Sequence, residues 1–290
     1  MCAQAAPVYA QDGAISVSPA SAELRMSSQS KPQSVSFAYT NNSQQLVQLQ
    51  IEVVDFNHTK GGSLRLDGQE SGSFSYSLAS FLSPDASTLV IKPGEKKTLR
   101  VAVRDRESLS PGGHYAAVIA RMQSNGPNRA NAKVEPSLST MVLVHKTGGE
   151  RFNLSLSDST WPNNSIEFSF PRTFQLTFLN EGNVHLVPYA AIVVRDMFGR
   201  VTHRGAVNES SLRVFPESRR YIPASMHSVL WSLPVGINTL SVNGNDSLHK
   251  TTFSHSASFV YIEPWFILLV ICLVQAALWS HNMRRKNRRK

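Results

Sequence analysis

The fold is decided by the alternation of apolar and polar side chains in the segment Leu89-Val-Ile-Lys-Pro-Gly-Glu-Lys-Lys-Thr-Leu-Arg-Val-Ala-Val103. Leu99, Val101 and Val103 recur at every second position, which is the period of a β-strand with one buried face. Proline fixes φ and glycine accepts a positive φ, so Pro93-Gly94 predicts a reversal of the chain between two strands. The segment therefore predicts a β-hairpin.

The same period of two continues on both sides of this segment. Val35, Phe37 and Tyr39 alternate with small or polar residues, and the apolar positions of 47–53 alternate with Gln and Glu. Further strands are predicted at 110–121 and 138–145. Together these make about seven strands, which is the number in an immunoglobulin-like β-sandwich of ordinary size.

A second series of strands follows a break at Lys146-Thr-Gly-Gly-Glu150. The whole pattern predicts an all-β fold of two consecutive immunoglobulin-like β-sandwiches, at 12–147 and 148–261. Stretches rich in Gly and Ser, at 57–75 and 124–136, are predicted to be long loops that serve either recognition or tolerated insertion. The strands predicted in the second sandwich are 152–156, 166–170, 174–178, 192–194, 212–215 and 251–261.

One transmembrane α-helix is predicted after the sandwiches, at 264–280. The run from Trp265 to Trp279 carries no charge, and a bilayer core needs roughly 17–25 mostly apolar residues in a helix. A buried helix of a soluble protein is the alternative interpretation. Tyr261, Trp265 and Trp279 lie where an aromatic belt at the membrane surfaces would lie, which favours the spanning helix.

The tail at 281–290 is strongly basic and contains no acidic residue. By the positive-inside rule the C-terminus is expected in the cytoplasm and the N-terminal ectodomain outside. The predicted partner of this region is the lipid bilayer, and no nucleic-acid partner is predicted. The predicted anchor residues are Trp265, Trp279, Arg284, Arg285, Lys286, Arg288, Arg289 and Lys290.

The net charge of +9 is concentrated in this tail. Its six cations are part of 29 Lys and Arg in the chain, which leaves 23 in the rest of the chain against 20 Asp and Glu. No basic run occurs before residue 284, whereas a nucleic-acid-binding domain concentrates its basic residues on one face. The ectodomain is therefore only mildly basic.

No catalytic or cofactor-binding motif is present in the sequence. The nine histidines are scattered singly, without a His-Glu-x-x-His run, and there is no Gly-x-Ser-x-Gly, phosphate-loop or dinucleotide motif. We therefore predict no cofactor, no metal and no enzymatic activity. A Ser-His-Asp triad assembled from distant strands stays open, because such triads are recognised by geometry.

Three further features each allow two interpretations. Trp161 and Trp231 could stack on a sugar ring, but large apolar side chains more often fill a core, and we predict core positions for both. Asp196-Met-Phe-Gly199 contains an aspartate that could suggest a metal ligand. Because it lies between two apolar runs, we predict a hairpin turn there.

Residues 1–11 are predicted to be the remnant of a signal peptide. Val8-Tyr9-Ala10 resembles the small-residue pattern before a signal-peptidase cut, although no positive or apolar region precedes it. Our hypothesis is that translation begins upstream of Met1. Cys2 lies in this remnant and Cys272 in the predicted helix, so the ectodomain is expected to hold no disulfide.

Five stretches of the first sandwich carry a family resemblance: 15–24, 35–42, 53–56, 89–94 and 110–117. In them the sandwich resembles the N-terminal domain of the bacterial WxL-interacting protein family. The resemblance implies a secreted protein with two β-sandwiches, a spanning helix and a basic tail, placed in the bacterial plasma membrane. Part of the same pattern is similar to periplasmic pilus chaperones, which lack a membrane anchor.

The resemblance implies a first domain that binds peptidoglycan and a second that binds a partner protein. The second domain is similar to membrane-proximal domains of envelope proteins at 178–188, 196–199 and 214–221. The predicted function is therefore non-enzymatic tethering, with peptidoglycan or a cell-surface protein as partner. Two alternatives stay open: a membrane-bound chaperone or assembly factor that acts by strand addition, and a cell-wall hydrolase.

Overall fold

The chain folds into two compact units, the second of which includes a C-terminal helix. Unit 1 contains residues 1–152 together with two short segments from later in the chain, 181–185 and 215–218. Unit 2 contains the other residues. The structure is a computed structural model that describes residues 8–9, 14–27, 33–58, 64–65, 75–104, 107–123, 136–159, 164–248 and 250–287.

The described residues of unit 1 form twelve strands, arranged in two five-stranded sheets and one short pair, β6–β7. The first sheet has the order β1-β2-β4-β10-β8 and the second β3-β12-β11-β5-β9. A 3₁₀ turn at Ala79–Phe81 precedes β8. The strands are β1 (Val8–Tyr9), β2 (Ile15–Ser18), β3 (Ser21–Met26), β4 (Ser34–Asn41), β5 (Val47–Val54), β6 (Asn57–His58), β7 (Leu64–Arg65), β8 (Leu82–Pro84), β9 (Thr88–Ile91), β10 (Lys96–Val103), β11 (Gly112–Gln123) and β12 (Ser137–Lys146).

The two sheets of unit 1 share one apolar core, as the sequence period predicts. Phe37 and Leu99 face it from the first sheet, and Leu49, Val118 and Val142 face it from the second. All five side chains are inaccessible to solvent. The prediction of a β-sandwich in the first half of the chain is therefore confirmed.

The predicted hairpin at 89–103 is wrong, although both of its strands exist. β9 pairs with β5 in the second sheet, whereas β10 pairs with β4 and β8 in the first. The chain does reverse at Pro93-Gly94, where Gly94 has a φ of +70° and the Glu95 N–H donates to Lys92 O. The reversal carries the chain from one sheet to the other. The sequence does not show this change of sheet, because strands on both sides of the core have the same period of two.

Residues near the start of the chain also contribute strands to both sheets. β2 pairs with β4 in the first sheet, and β3 pairs in parallel with β12 in the second. The crossing occurs at Ser18-Pro19, whose peptide bond is cis. β3 begins at Ser21, so it reaches only part of the length of β12.

A second, smaller core in unit 1 lies on the other face of the second sheet. Tyr115 is at its centre, with the Phe215 ring 4.9 Å and the Phe56 ring 6.2 Å away. The Tyr115 hydroxyl accepts a hydrogen bond from the His185 N–H at 2.8 Å and lies 3.2 Å from Nδ1 of the same residue. This buried hydroxyl therefore joins strand β11 to the segment 181–185.

Two buried tyrosines of unit 1 differ in how their hydroxyls are bonded. The Tyr39 hydroxyl is buried without a well-formed hydrogen bond among the described residues, and burial raises its pKa to about 12 despite the nearby Thr140. We expect Tyr39→Phe to leave the free energy of unfolding unchanged or raise it, within about 1 kcal/mol. We expect Tyr115→Phe to lower it by about 1–3 kcal/mol, because the buried His185 N–H loses its acceptor.

Thermal and urea unfolding of the full chain in detergent, followed by circular dichroism, measures both variants. Equal losses in the two variants would contradict the difference in bonding.

In unit 2 the residues that the structure describes form eight strands in a single sheet, with the order β13-β15-β18-β17-β16-β19-β20-β14. The predicted β-structure of this region is confirmed at this coarse level. Two separate sheets of a sandwich were predicted here, whereas in the structure hydrogen bonds connect all eight described strands into one sheet. The strands are β13 (Leu154–Ser159), β14 (Ile166–Glu167), β15 (Thr173–Asn180), β16 (Pro188–Asp196), β17 (Val201–Val207), β18 (Ser218–Ser228), β19 (Val235–Asp246) and β20 (Thr252–Ile262).

The sequence prediction missed β17, β18 and β19 and placed one strand wrongly. The predicted strand at 212–215 is an isolated bridge between Leu186 and Val214. β18 escaped prediction because its buried face is made of Ile222, Ala224 and Met226, with Pro223 inside the strand. Proline and alanine are both depleted in strands, which weakens the pattern.

The predicted turn at 196–199 is confirmed. The Asp196 N–H donates to Arg200 O at 3.0 Å, and Gly199 takes a φ of +77°. The Asp196 carboxylate accepts hydrogen bonds from the Phe198 N–H, the Arg200 N–H and the Arg200 guanidinium, the last at 2.7 Å. These bonds lower the pKa of Asp196 against the effect of burial, and they show that the carboxylate organises the turn.

Helix α1 runs from Pro264 to Asn287, which takes it past the predicted end at residue 280. Within it, Pro264–Arg284 is long and apolar enough to cross a membrane. Its 21 residues extend about 30 Å at the helical rise, which matches a bilayer core. Pro264 suits the first helical position, where a missing N–H costs no hydrogen bond.

A buried histidine gives unit 2 a pH dependence. The His203 ring stacks on Phe170 with 3.7 Å between ring centroids, and burial together with the Arg172 and His227 charges lowers its pKa to about 4. In the unfolded chain the imidazole takes up a proton near pH 6.5. Its contribution to stability is therefore complete above pH 6.5 and is lost as the pH falls toward 4, by up to about 3 kcal/mol.

The free energy of unfolding should accordingly fall between pH 6.5 and pH 4 in the unmodified chain. His203→Phe keeps the ring stack and removes the titration, so this variant should show a smaller slope. His255→Gln changes an exposed histidine and serves as the matched control. An unchanged slope in His203→Phe would show that another group causes the pH dependence.

Candidate strand-addition edge

The predicted anchor residues lie on helix α1 as far as the structure describes them. Trp265 and Trp279 are exposed on the helix surface near its two ends, and Arg284 is exposed in its last turns. Arg285 and Lys286 also belong to the helix. Arg288, Arg289 and Lys290 lie outside the described residues, and the anchoring role of the whole set stays a prediction.

The predicted core position of Trp231 is wrong. Its side chain is 63% exposed, and the Arg200 guanidinium carbon lies 4.9 Å from the ring centroid. A cation above the ring face stabilises an exposed tryptophan without burial, which the sequence pattern could not show. Trp161 lies outside the described residues.

Several other predictions fall on parts of the chain that the structure does not describe. Most of the loop predicted at 57–75 and nearly all of that at 124–136 are among them, as is most of the signal-peptide remnant at 1–11. Val8–Tyr9 of the remnant pair with β2 as strand β1. The origin of the remnant stays a prediction.

The described residues offer few groups for catalysis or metal binding. No three His, Cys, Asp or Glu side chains in them come together as metal ligands. Two shallow depressions of 480 and 440 Å³ lie side by side on the unit 2 sheet and share Ala206 and Glu209. Glu209 is the one acidic or basic side chain in either lining, so these depressions hold no acid-base pair.

An open strand edge is the feature of unit 1 with the clearest binding capacity. β12 pairs with β11 along its whole length, from Ser137 opposite Arg121 to Lys146 opposite Gly112. On its other side β3 covers only Met141–Lys146. Within the described residues, Ser137–Thr140 therefore has no strand on that side, and we call these four residues the open edge.

The backbone groups at the open edge point outward at Ser137 and Ser139. The Met141 N–H donates to Ala20 O on the β3 side at 3.2 Å, while the Met122 N–H of β11 donates to Pro136 O at 2.9 Å. Neighbouring residues of a strand direct their backbone groups to opposite sides. Odd-numbered residues of β12 thus face the β3 side, and the N–H and C=O groups of Ser137 and Ser139 face outward.

The side chains of the open edge leave the sandwich core closed. Leu138 and Thr140 point into the core and are 3% and 0% exposed, and the Thr140 hydroxyl donates to Val118 O. Ser137 is exposed and Ser139 half-buried. A partner strand would therefore form main-chain hydrogen bonds with Ser137 and Ser139, while the core beneath them is already complete.

Three other sheet edges carry features that oppose pairing. β8 ends in Pro84, which lacks an N–H, and β13 has a register shift between Leu156 and Asp158. β9 is followed directly by Lys92-Pro93. Proline, lysine and bulges at edges all hinder the addition of a further strand. The four residues of the open edge, Ser-Leu-Ser-Thr, contain none of them, and the edge is bounded on one side by Pro136.

The covered end of β12 is held by polar contacts. The Lys146 ammonium donates to the carbonyls of Glu107 and Leu109. The Glu150 carboxylate accepts the N–H groups of Gly148 and Gly149, and backbone N–H donors lower its pKa to about 2. Burial lowers the pKa of His145, which lies 3.2 Å from the same carboxylate. β12 is thus fixed at one end and open at the other.

No family model and no curated protein matches this chain. Among solved structures, the class 5 fimbriae chaperone CfaA is 9% identical with a TM-score of 0.43, over 84% of this chain and 98% of that one. A chain of the Salmonella enterica complex of the SafA pilin with the SafB chaperone is 7% identical with a TM-score of 0.42, over 83% and 95%. The E. coli chaperone DraB is 10% identical with a TM-score of 0.39, over 84% and 94%. These values describe a distant likeness and assign no function.

Proposed function

We propose that this chain is a membrane-anchored, non-enzymatic protein of the cell envelope that binds a partner polypeptide by strand addition at the open edge. The observation that carries the proposal is the late start of β3, opposite Met141, which leaves Ser137 and Ser139 with outward backbone groups. Strand addition uses groups of this kind for affinity and neighbouring side chains for specificity.

The size of the edge limits the affinity that it can supply. Two N–H and two C=O groups form at most four hydrogen bonds, each with a net contribution of about 0.5–1.5 kcal/mol. Their sum is roughly 2–6 kcal/mol, whereas a dissociation constant of 1 μM corresponds to about 8 kcal/mol. The partner must therefore also make side-chain contacts beside the edge.

Anchoring by α1 would compensate for a low affinity of the open edge for its partner. A helix that crosses the bilayer confines the two units to a thin layer above the membrane, which raises their effective concentration toward other molecules of that layer. The helix between Pro264 and Arg284 supports this part of the proposal by its length and composition. The basic tail gives the expected orientation, with the C-terminus inside.

Peptidoglycan binding, which the resemblance to the WxL-interacting protein family implies, is the competing proposal for unit 1. A wall-binding domain contacts glycan or stem peptide through side chains and has no need of an open backbone edge. The two proposals therefore respond differently to a change that removes one backbone N–H.

Site-specific photo-cross-linking in the intact envelope tests the open edge. A photoreactive residue at Ser137 should form an adduct with a polypeptide partner, and Ser139→Pro should abolish the adduct because proline cannot donate and fills the edge. Within the described residues the Ser139 N–H bonds no strand, so this variant should melt within a few degrees of the unmodified protein.

Val90→Pro is the matched control at the other edge of the same sheet. The Ile51 N–H donates to Ser87 O, so the same alternation directs the Val90 N–H outward from β9. This variant should keep the Ser137 adduct. Adducts that survive Ser139→Pro, or a chain that forms none and sediments with insoluble peptidoglycan, would reject strand addition in favour of wall binding.

A further inference from the structure

The exposed apolar side chains of unit 2 gather at one end of its sheet. In the described part of the chain outside α1, thirteen large apolar side chains are exposed, and nine of them lie at the end where the chain enters the helix. We call these nine the apolar collar. Its members are Ile166, Phe168, Met197, Phe198, Val229, Leu230, Trp231, Val235 and Ile237.

The strand register places the collar beside the start of the helix. Val235 lies opposite Ile262, the last residue of β20, and α1 begins two residues later at Pro264. The Glu263 N–H donates to Pro234 O at 2.6 Å. The loop before β19 is therefore hydrogen-bonded to the one residue that joins the sheet to the helix.

The turn between β16 and β17 reaches the same end. Asp196 pairs with Asn238, so Met197 and Phe198 extend past the sheet at the level of Ile237. Phe198 is 71% exposed. Met197 lies over Gly236, where a Cβ atom would come within 2.2 Å of its terminal methyl group.

The remaining members are positioned by β18 and β14. After β18 the N–H groups of Val229 and Leu230 both donate to Thr202 O, which directs Trp231 to this end. β14 runs parallel to β20 with Ile166 opposite Val260, and Phe168 follows one residue after the strand ends. Four separate segments of the chain thus bring apolar side chains to one place.

The collar combines apolar groups with cations. Arg200 lies over the Trp231 ring and also bonds the Asp196 carboxylate, and Arg195 donates to Gly199 O in the same turn. Two carboxylates, Glu167 and Glu263, flank the collar. Tryptophan and other aromatic residues next to arginines are typical of the interfacial layer between lipid headgroups and acyl chains.

We propose that the apolar collar lies in the lipid headgroup layer around α1, so that the base of unit 2 is embedded in the outer surface of the bilayer. The proposal rests on the anchoring by α1 that is part of the proposed function. Because Glu263 alone separates β20 from α1, a helix that spans the bilayer holds the collar within a few ångström of the surface. Burial of the collar side chains in the lipid interface then stabilises this position of unit 2 at the membrane surface.

Depth-dependent fluorescence quenching in the full chain tests the collar. The chain carries Cys2→Ser and Cys272→Ser, and a fluorophore is attached at Phe198→Cys after reconstitution into vesicles of phosphatidylcholine and phosphatidylglycerol. A spin label near the headgroup end of the acyl chain should remove most of the emission, and aqueous iodide should remove little.

Ser210→Cys is the matched control, because Ser210 is exposed in the turn at the opposite end of the same sheet. Its label should respond to iodide and remain unaffected by the lipid spin label. Ile237→Cys provides a second collar position if the Phe198 variant folds poorly. Equal responses of the collar and control labels would overturn the proposal, as would a collar label shielded from both quenchers, which indicates a protein partner or a second copy of the chain.

Flotation of the same vesicles after an alkaline wash separates this result from the anchoring itself. Protein that stays with the vesicles while its collar label responds only to iodide rejects the collar and leaves the anchor intact. Protein that leaves the vesicles rejects both.

Discussion

The first unit depends on one constraint, which is that a single stretch near the start of the chain must supply a strand to each of its two five-stranded sheets. β2 serves the first sheet, the chain crosses at Ser18-Pro19, and β3 serves the second. Residues 15–18 pair with β4, so they cannot also extend β3 along the first residues of β12. The closed core and the open edge therefore have the same cause: the sandwich is sealed by side chains such as Leu138 and Thr140, while the backbone beside them stays available.

The sequence predicts an element correctly where the burial of alternate or consecutive apolar side chains alone determines that element. Val35, Phe37 and Tyr39 predict β4 because every second side chain faces the core, and the uncharged run at 265–279 predicts a helix that is long and apolar enough to cross a membrane. A period of two does not say which sheet a strand joins, so the link between β9 and β10 was mistaken for a hairpin. Weakly apolar strands such as β18 were missed, since Ala224 and Pro223 carry little signal.

The candidate site could not be predicted in the same way. The open edge is a property of register, namely that β3 starts opposite Met141, and Ser137-Leu-Ser-Thr140 looks like any other alternating segment. Trp231 was misplaced because its partner is a cation from a neighbouring turn, and no sequence period reports such a contact. The collar likewise unites four segments, two of whose three gaps are about 30 residues long, and only the register of β16, β19 and β20 brings them to one end.

The composition of unit 1 has a consequence for the order in which its two cores form as the chain is synthesised. Phe215 packs against Tyr115 and Phe56, and the His185 N–H bonds the Tyr115 hydroxyl, so the smaller core is incomplete until residue 218 has been made. The larger core needs only residues that are made much earlier. A partly synthesised chain can therefore carry a formed sandwich, with the open edge of β12 already in place, while the Tyr115 cluster is still exposed.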